Sequence, residues 1–554
     1  MTNSDFISYL NTLHNVNANN PSAYTEMVIS SPYFKETMVN RPVGDYIQQH
    51  LNQEKPLFFI LTGHAGDGKT AIMFQTMQTW GVISQDGQLK EISDVTMPCG
   101  RICRCVKDFS ELESSRRKQL FEELRNCPGQ GISVFLVANT GPLISTFNDI
   151  MGDEETARLV GAIDDNNGVS NDYNGVPIVV INVAAVDNSC FVTPYLDRVL
   201  ATHLWEPCKE CKKAPYCPIY MNYQMMSRGK EHVASFIEKH YIWQQEYGNK
   251  LTVRQIVAHL SFTITGGLNC RQVRDSKGFR FRHLCSNRFF GYRGIKPDVK
   301  AASVKAIADI LDFGYDQKRL KADEELFING EYSCFDSFTR NILEEDAVDS
   351  HYRDGWQQAV RRAYIFLNIE SREEKCRQLD QDIFSRWFPR YLELRKGAAS
   401  SFQDKDLLTD ALKMLFLGSL QSGQAIPVTM SRGESSPQCV QLVYDTVLKN
   451  NIKLIPEKIE DFSNVPRKRL RIEIKGQKLS TPLSLPLINH FEEMRRGAIQ
   501  TYIDPQLSQG IDSLRAQIIA LSQTDAQEIQ LLVMSQNGWE SITAAQDDNC
   551  WVLI

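Results

Sequence analysis

The sequence predicts an α/β fold built on a parallel sheet with helices on both faces. Apolar segments rich in β-branched residues alternate with amphipathic segments between residues 57 and 186. The apolar segments cover residues 57–61, 132–138 and 176–186, and a weakly apolar segment at 101–106 predicts a further strand. Helical segments cover 70–80 and 114–126. A glycine-rich connection separates the first strand from the first helix. Strands that alternate with helices require crossover connections, and such connections produce parallel sheets.

The length of the chain predicts several domains, because 554 residues are too many for one hydrophobic core. We expect a helical lead-in at 1–45, the α/β core at 46–190 and a Cys-rich insertion with a helical lid at 191–300. A helical domain at 301–415 and a mixed α+β domain at 416–554 complete the prediction. The last domain should contain a strand near 470–474, a long helix ending near 522 and a final strand at 530–534.

The composition favours a folded cytoplasmic protein, with 42% hydrophobic and 23% charged residues. No segment approaches the roughly 20 apolar residues of a membrane span, and the N-terminal residues lack a signal-peptide pattern. The fourteen cysteines are scattered, which favours reduced thiols. A net charge of −6 argues against a uniformly basic nucleic-acid binder but leaves room for a local basic surface.

The glycine-rich connection matches the phosphate-binding pattern G-x-x-x-x-G-K-[ST] in full. Its residues are Gly63, His64, Ala65, Gly66, Asp67, Gly68, Lys69 and Thr70, followed by Ala71. Glycines let successive N–H groups curl around phosphate oxygens, and the helix that follows favours an anion at its first turn. Lys69 would reach the β- and γ-phosphates, and the Thr70 hydroxyl would bind Mg²⁺. The pattern therefore predicts a P-loop nucleoside triphosphatase core of the ring-ATPase type.

Polar residues at predicted strand ends are candidates for the remaining chemistry. Asp108 would complete the Mg²⁺ shell, with a helix N-cap as the alternative, and Glu111 would position the attacking water. Asn139 would orient that water, with turn formation as its alternative. Arg254 opens an amphipathic helix and would sense the γ-phosphate, unless it is an ordinary surface arginine.

A cysteine knuckle predicts a structural zinc site. Cys208 and Cys211 form a C-x-x-C pair, and Cys217 follows closely. Cys270 is the first choice for the fourth ligand, with Cys190 and His203 as rivals. A redox pair and simple reduced surface thiols are the alternatives.

Two basic stretches could contact DNA. Between residues 274 and 296, basic side chains outnumber acidic ones seven to one, with Asp275 the single acid, and aromatic side chains lie among them. The basic residues are Arg274, Lys277, Arg280, Arg282, Arg288, Arg293 and Lys296, and the aromatic ones are Phe279, Phe281, Phe289, Phe290 and Tyr292. These basic side chains could bind phosphates, and the aromatic side chains could stack on bases. The alternative, which is slightly favoured, is a solvated helix and loop whose aromatic side chains pack in the hydrophobic core. The second stretch, residues 467–471, could instead be a charged edge strand.

Several short sequence segments together resemble those of one bacterial protein family. They lie at residues 63–70, 106–112, 138–143, 205–222, 252–255, 265–270 and 361–364. Across residues 45–370 the chain resembles the DNA phosphorothioation-dependent restriction proteins of the DptF family, which are predicted ATPases. The resemblance implies the ATP-using subunit of a defence system that attacks DNA lacking a sulfur-substituted backbone.

The resemblance also implies partners, namely other restriction subunits, DNA contacted directly or through them, and a homo-oligomer as a further expectation. The sequence contains no nuclease constellation that we would assign, so cleavage would belong to a partner. The alternative function is a regulatory switch that binds nucleotide and signals to an effector without significant turnover.

Overall fold

The computed structural model consists of two compact units. One unit contains residues 1–379 with 460–467, and the other contains residues 380–459 with 468–554. The structure describes residues 4–14, 28–53, 55–82, 89–275, 281–293, 296–311, 314, 318–329, 332, 334–347, 353–367, 373–420, 423–429, 439–458, 462, 468–498, 503–521, 528–536, 538–547 and 550–553. The finer division into five segments stays a prediction.

The first unit is an α/β structure around a mixed sheet in the order β2-β3-β4-β1-β6-β5. The strands are β1 (Phe58–Thr62), β2 (Ile92–Thr96), β3 (Ile102–Val106), β4 (Ser133–Val137), β5 (Ser170–Tyr173) and β6 (Val176–Asn182). The four inner strands are parallel, as predicted. The sheet differs from the predicted parallel sheet at its two edges, where β2 and β5 pair antiparallel.

Buried apolar side chains on both faces explain the inner strands. Phe59 and Leu61 belong to one core cluster, whereas Phe58 and Ile60 belong to the other. This alternation follows from the two-residue period of a strand. Helices supply the opposite side of each cluster, so both faces of the sheet are covered, as predicted.

The helices of the first unit follow the predicted pattern near the sheet. They are α1 (Ser4–His14), α2 (Pro32–Thr37), α3 (Pro42–Leu51), α4 (Lys69–Thr79), α5 (Ser114–Arg125), α6 (Thr140–Met151), α7 (Asp153–Asp165), α8 (Val192–Val199), α9 (Thr202–Lys209), α10 (Pro218–Arg228), α11 (Lys230–Glu246), α12 (Val253–Thr265), α13 (Cys270–Asp275), α14 (Cys285–Phe289), α15 (Lys305–Leu311), α16 (Ser337–Ala347) and α17 (Arg353–Leu367). A short hairpin of β7 (Tyr292–Arg293) and β8 (Lys296–Pro297) lies between α14 and α15. The next helix, α18 (Glu373–Ile383), spans the division between the units.

The strand predicted at residues 176–186 ends early. The Asn182 side chain accepts a hydrogen bond from the Ala184 N–H, and a 3₁₀ turn occupies Val183–Ala185. Asparagine side chains compete in this way with strand pairing and turn the chain. The apolar run therefore contains a strand followed by a turn.

The second unit combines helices with two antiparallel sheets. Its further helices are α19 (Phe388–Lys396), α20 (Phe402–Leu417), α21 (Leu485–Arg495) and α22 (Pro505–Ala520). Its strands are β9 (Ala425–Thr429), β10 (Val440–Leu448), β11 (Ile452–Lys458), β12 (Lys468–Ile474), β13 (Gln477–Pro482), β14 (Glu528–Ser535), β15 (Gly538–Asp547) and β16 (Cys550–Leu553). The sheet orders are β16-β15-β14-β10-β9 and β11-β12-β13. The prediction that residues 530–534 form the last strand was wrong, because two strands follow.

Within the described parts of both units, no helix is long and apolar enough to cross a membrane.

Candidate functional site

The glycine-rich loop, residues 63–70, leaves the carboxyl end of β1 and enters α4. Gly66 has a φ of 93° and Gly68 a φ of 83°, in the left-handed region that glycine enters without a steric penalty. A Cβ at residue 66 would also lie 3.0 Å from the Thr252 Oγ1 atom. Both the conformation and the close approach therefore explain glycine at this position.

Lys69 is held at the centre of the site. Its Nζ atom donates hydrogen bonds to the Asn139 Oδ1 atom at 2.8 Å, the His64 carbonyl at 2.7 Å and the Gly63 carbonyl at 3.2 Å. Burial lowers the pKa of Lys69 to about 8. The charges of Asp67 and Asp108 oppose this shift. A partly desolvated ammonium at a helix N-terminus is suited to binding a polyanion.

Asn139 lies at the end of β4, beside β1 in the sheet. Its side chain bonds to Lys69, and within the described residues it does not cap α6. Its backbone N–H donates to the Ser110 Oγ atom at 2.6 Å. The side-chain amide of Asn139 therefore contacts Lys69. Turn formation, the alternative role, would explain the backbone of Asn139 but not this side-chain contact.

Asp108 follows β3 and has a φ of 55°, in the left-handed region. Aspartate tolerates this conformation better than most residues, and such outliers cluster at functional sites. Among the residues that the structure describes, its carboxylate makes no capping bond to the 3₁₀ turn Phe109–Glu111. The N-cap alternative is therefore not realised by its side chain. Its Oδ2 atom lies 3.8 Å from the Lys107 Nζ atom.

One cavity brings the predicted polar residues together. Its wall contains loop residues Ala65, Gly66, Gly68, Lys69, Thr70 and Ala71, and also Asp108, Glu111, Asn139 and Arg254. Strand order explains the convergence, since β4 lies between β1 and β3 and all three strands end at the same edge. Glu111 is solvent-exposed, whereas Lys69 is buried.

Arg254 reaches the loop through its backbone as well as its side chain. It lies in the first turn of α12, which Thr252 and Gln255 cap reciprocally. The Arg254 N–H donates to the Gly66 carbonyl at 3.0 Å. The charge of Arg254 contributes to lowering the pKa of Lys69, so the two cations act on the same site.

Much of the remaining cavity wall is apolar. It comes from residues that precede the sheet, from Phe191 and α8, and from α12, namely Tyr9, Leu13, Val28, Ile29, Phe34, Thr37, Met38, Val39, Phe191, Tyr195, Val253 and Val257. Sequence patterns did not connect these segments to the glycine-rich loop, because only the tertiary fold brings them together. Arg41, Ser110 and Gln75 also line the cavity and were missed for the same reason.

The four predicted zinc ligands lie in neighbouring parts of the first unit. Cys208 is near the end of α9, Cys217 precedes α10, and Cys270 begins α13. Burial raises the pKa of the Cys217 thiol, and the charges of Cys270 and Cys211 raise it further. Among the described residues, however, no three metal-ligating side chains form a cluster that could hold an ion. Zinc at this position stays a prediction.

The two rival zinc ligands have other contacts. The Cys190 Sγ atom donates to the Asp187 carbonyl at 2.9 Å. The His203 Nε2 atom lies 3.2 Å from the Glu36 Oε2 atom. Both contacts compete with a role in metal binding.

Some side chains of the basic stretches are engaged within their own units, whereas Arg293 and Lys296 are exposed. Phe289 and Phe290 are buried, and Arg288 forms a buried ion pair with Asp298. In the second stretch, Arg471 pairs with Glu457 at 2.7 Å. The alternative of a charged edge strand was wrong, because β12 lies in the middle of its sheet. Lys277, Phe279, Arg280 and Arg467 lie outside the described residues.

Comparisons with known proteins add no family assignment, because no protein-family model, no curated protein and no solved structure matches this chain.

Proposed function

We propose that the first unit is a P-loop nucleoside triphosphatase core that binds ATP with Mg²⁺ and hydrolyses it. The observation that carries this proposal is the environment of Lys69. Its ammonium is buried at the start of α4 and bonded to the tip of the neighbouring strand. The helix N-terminus and the ammonium supply the fixed positive potential that phosphate groups require.

The donor set beside the loop fits Mg²⁺, which prefers hydroxyl and carboxylate oxygens. Thr70 would supply its hydroxyl, and Asp108 its carboxylate, both from the wall of the same cavity. Bound there, the ion would neutralise phosphate charge that develops during hydrolysis. Asp67 serves the loop instead, since its Oδ2 atom accepts from the His64 N–H at 2.8 Å.

The remaining side chains divide the hydrolytic roles. Lys69 would leave its contacts with the loop carbonyls for the β- and γ-phosphates and stabilise their charge. Asn139 would orient the attacking water, and Glu111 would accept its proton. Arg254 would contact the γ-phosphate from the start of α12.

The apolar part of the cavity wall supports a nucleotide over a simple phosphate ligand. A nucleobase is planar and largely apolar on its faces, and nucleotide sites combine an apolar region with a few polar groups. Side chains such as Ile29, Met38 and Val257 would pack against the base. The resemblance of the sequence favours ATP over GTP.

At the level of the cell, the proposed role is the ATPase subunit of a bacterial restriction system that acts on DNA lacking phosphorothioate. This part is supported by the sequence resemblance across residues 45–370 alone. Other restriction subunits would supply the cleavage of DNA. Hydrolysis in this chain would drive a conformational cycle of that assembly.

The test is phosphate release from ATP by the wild-type protein and by Lys69→Ala, each with and without DNA. We expect turnover in the wild type and its loss in the variant. DNA with and without phosphorothioate linkages would then be compared at equal concentration. Wild-type protein that neither binds nor hydrolyses ATP would overturn the proposal.

The exposure of Glu111 favours a second candidate, a nucleotide-binding switch without significant turnover. An exposed carboxylate positions a single attacking water less firmly than a carboxylate enclosed by the site. In this candidate the protein binds ATP through Lys69, but phosphate release stays at the background rate.

A further inference from the structure

Arg41, which precedes α3, connects the glycine-rich loop to a second segment. Its Nη1 atom donates to the Asp67 carbonyl at 2.8 Å, and its Nη2 atom donates to the Asn188 Oδ1 atom at 3.3 Å. The guanidinium therefore bridges the loop backbone and a buried amide side chain. Neither the phosphate-binding pattern nor the predicted strand ends pointed to this residue.

The bridge continues from Asn188 to the start of α12. The Asn188 Nδ2 atom donates to the Leu251 carbonyl at 3.0 Å. Two residues later α12 begins, and the Arg254 N–H holds the Gly66 carbonyl at 3.0 Å. Two consecutive loop carbonyls, at residues 66 and 67, are thus bonded to α12 and to Arg41.

Arg41 is itself held in place by α4. Its backbone N–H donates to the Gln75 Oε1 atom at 2.8 Å, and its carbonyl accepts from the Gln75 Nε2 atom at 3.1 Å. Gln75 is only 3% exposed. The absence of a side chain at Gly44 makes room for this amide, since a Cβ there would lie 2.7 Å from it. The backbone of Arg41 is therefore anchored to the helix that carries Lys69.

We propose that Arg41 is a positioning residue for nucleotide binding, a role that rests on the function proposed above. A peptide is planar, so the direction of the Asp67 carbonyl sets the direction of the N–H group of Gly68. Holding that carbonyl fixes the direction of the Gly68 N–H, one of the groups that would contact the phosphates. Through Asn188 the same guanidinium sets the position of α12, and hence of Arg254.

The planar fork of arginine explains why this residue type is needed. Two nitrogen atoms of the rigid guanidinium donate hydrogen bonds to acceptors in two different segments, the Asp67 carbonyl and the Asn188 side chain. Lysine keeps the charge but offers a single nitrogen. Arg41→Lys should therefore weaken the bridge without removing the positive charge.

The experiment measures the dissociation constant of Mg·ATP by calorimetry for the wild type, Arg41→Lys, Asn188→Ala and the double variant. We expect each single variant to bind about 10- to 100-fold more weakly, the range for hydrogen bonds to a charged group. The double variant should bind Mg·ATP no more weakly than the single variant with the lower affinity, because both residues act through one hydrogen-bonded bridge. In turnover assays KM should rise much more than kcat falls.

Arg158→Lys is the matched control, because Arg158 is an exposed arginine that pairs with Glu155. It should bind Mg·ATP as the wild type does. Melting temperatures identify any variant that is merely destabilised, and Asn188→Ala then repeats the test with Arg41 intact. Wild-type affinity in Arg41→Lys, or fully additive effects of the two substitutions, would contradict the role proposed for Arg41. Neither result would affect the proposed function. A wild-type protein that does not bind Mg·ATP would instead overturn the proposed function.

Discussion

At the scale of single residues, the charge of Lys69 should make the affinity for nucleotide depend on pH. Burial lowers its pKa to about 8, close to physiological pH. Phosphate binding favours the charged ammonium, so binding raises this pKa. The affinity for Mg·ATP should therefore be full below pH 8. Above pH 8 it should fall with rising pH, by up to about tenfold per pH unit.

Calorimetry between pH 7.5 and 9.5 checks this prediction in a range where the phosphate groups stay fully ionised. Lys69→Arg is the control, because an arginine keeps its charge throughout this range. Any residual binding by that variant should not decline with pH. An affinity of the wild type that stays constant through pH 8 would contradict the assignment of Lys69.

Substitution of Glu111 distinguishes the two proposed functions, the hydrolase and the nucleotide-binding switch. Glu111→Gln should keep the affinity for Mg·ATP, because the amide preserves the shape of the side chain. Phosphate release should fall by about 10²- to 10⁴-fold, the usual contribution of a general base. Single-turnover phosphate release and equilibrium binding measure the two quantities separately.

Glu113→Gln serves as the matched control for Glu111→Gln. Glu113 is exposed and lies two residues away, at the N-cap of α5. It should hydrolyse ATP at the wild-type rate. Phosphate release at the background rate in both proteins would favour the switch. Equal turnover above background would mean that another group, such as one from a partner subunit, supplies the base.

At the scale of elements, the sequence predicted what apolar runs can specify. The inner strands β1 and β4 are buried along their whole length, and their apolar runs were visible. The edge strands β2 and β5 were missed because they are short, polar and mostly exposed. Edge positions need no apolar run, since one side and part of each face contact solvent.

The same limit explains which site residues could be predicted. Lys69 belongs to a contiguous pattern, and Asp108 and Asn139 follow inner strands, so local sequence identified them. Arg41 lies in a different segment and reaches the loop only through the tertiary fold. Local patterns carry no signal for such a contact.

The cysteine knuckle between α9 and α10 gives a prediction at the same scale. Protein purified without chelator should contain about one zinc ion per chain, because the four predicted thiolates would complete a tetrahedral shell. Cys217→Ser should lose the metal and lower the melting temperature, since structural zinc contributes folding energy. Elemental analysis and thermal unfolding measure the two effects.

Cys439→Ser is the control for the zinc prediction, because Cys439 is exposed and belongs to the second unit. It should retain the metal. Metal-free wild-type protein with an unchanged melting temperature after chelation would leave these cysteines as ordinary reduced thiols.

At the scale of the whole molecule, the candidate site joins segments that are far apart in the sequence. Arg41 precedes the sheet in the chain, and the loop follows β1. Arg254 lies in the first turn of α12, nearly two hundred residues after the loop. All three are connected by hydrogen bonds around one cavity. A ligand in that cavity should therefore stabilise them together, whereas a ligand of the loop alone would not.

Hydrogen exchange with and without Mg·ATP tests this expectation. Binding stabilises the closed native state by mass action, by about 2.7 kcal/mol at a ligand concentration of 100 times the dissociation constant. Amides that exchange by local opening of the site should slow accordingly. We expect added protection at residues 38–44, 63–72 and 252–257, and none of it in Lys69→Ala. Protection limited to residues 63–72 would mean that the loop binds phosphate without engaging the lead-in or α12, and the apolar part of the cavity wall would then have no part in recognition.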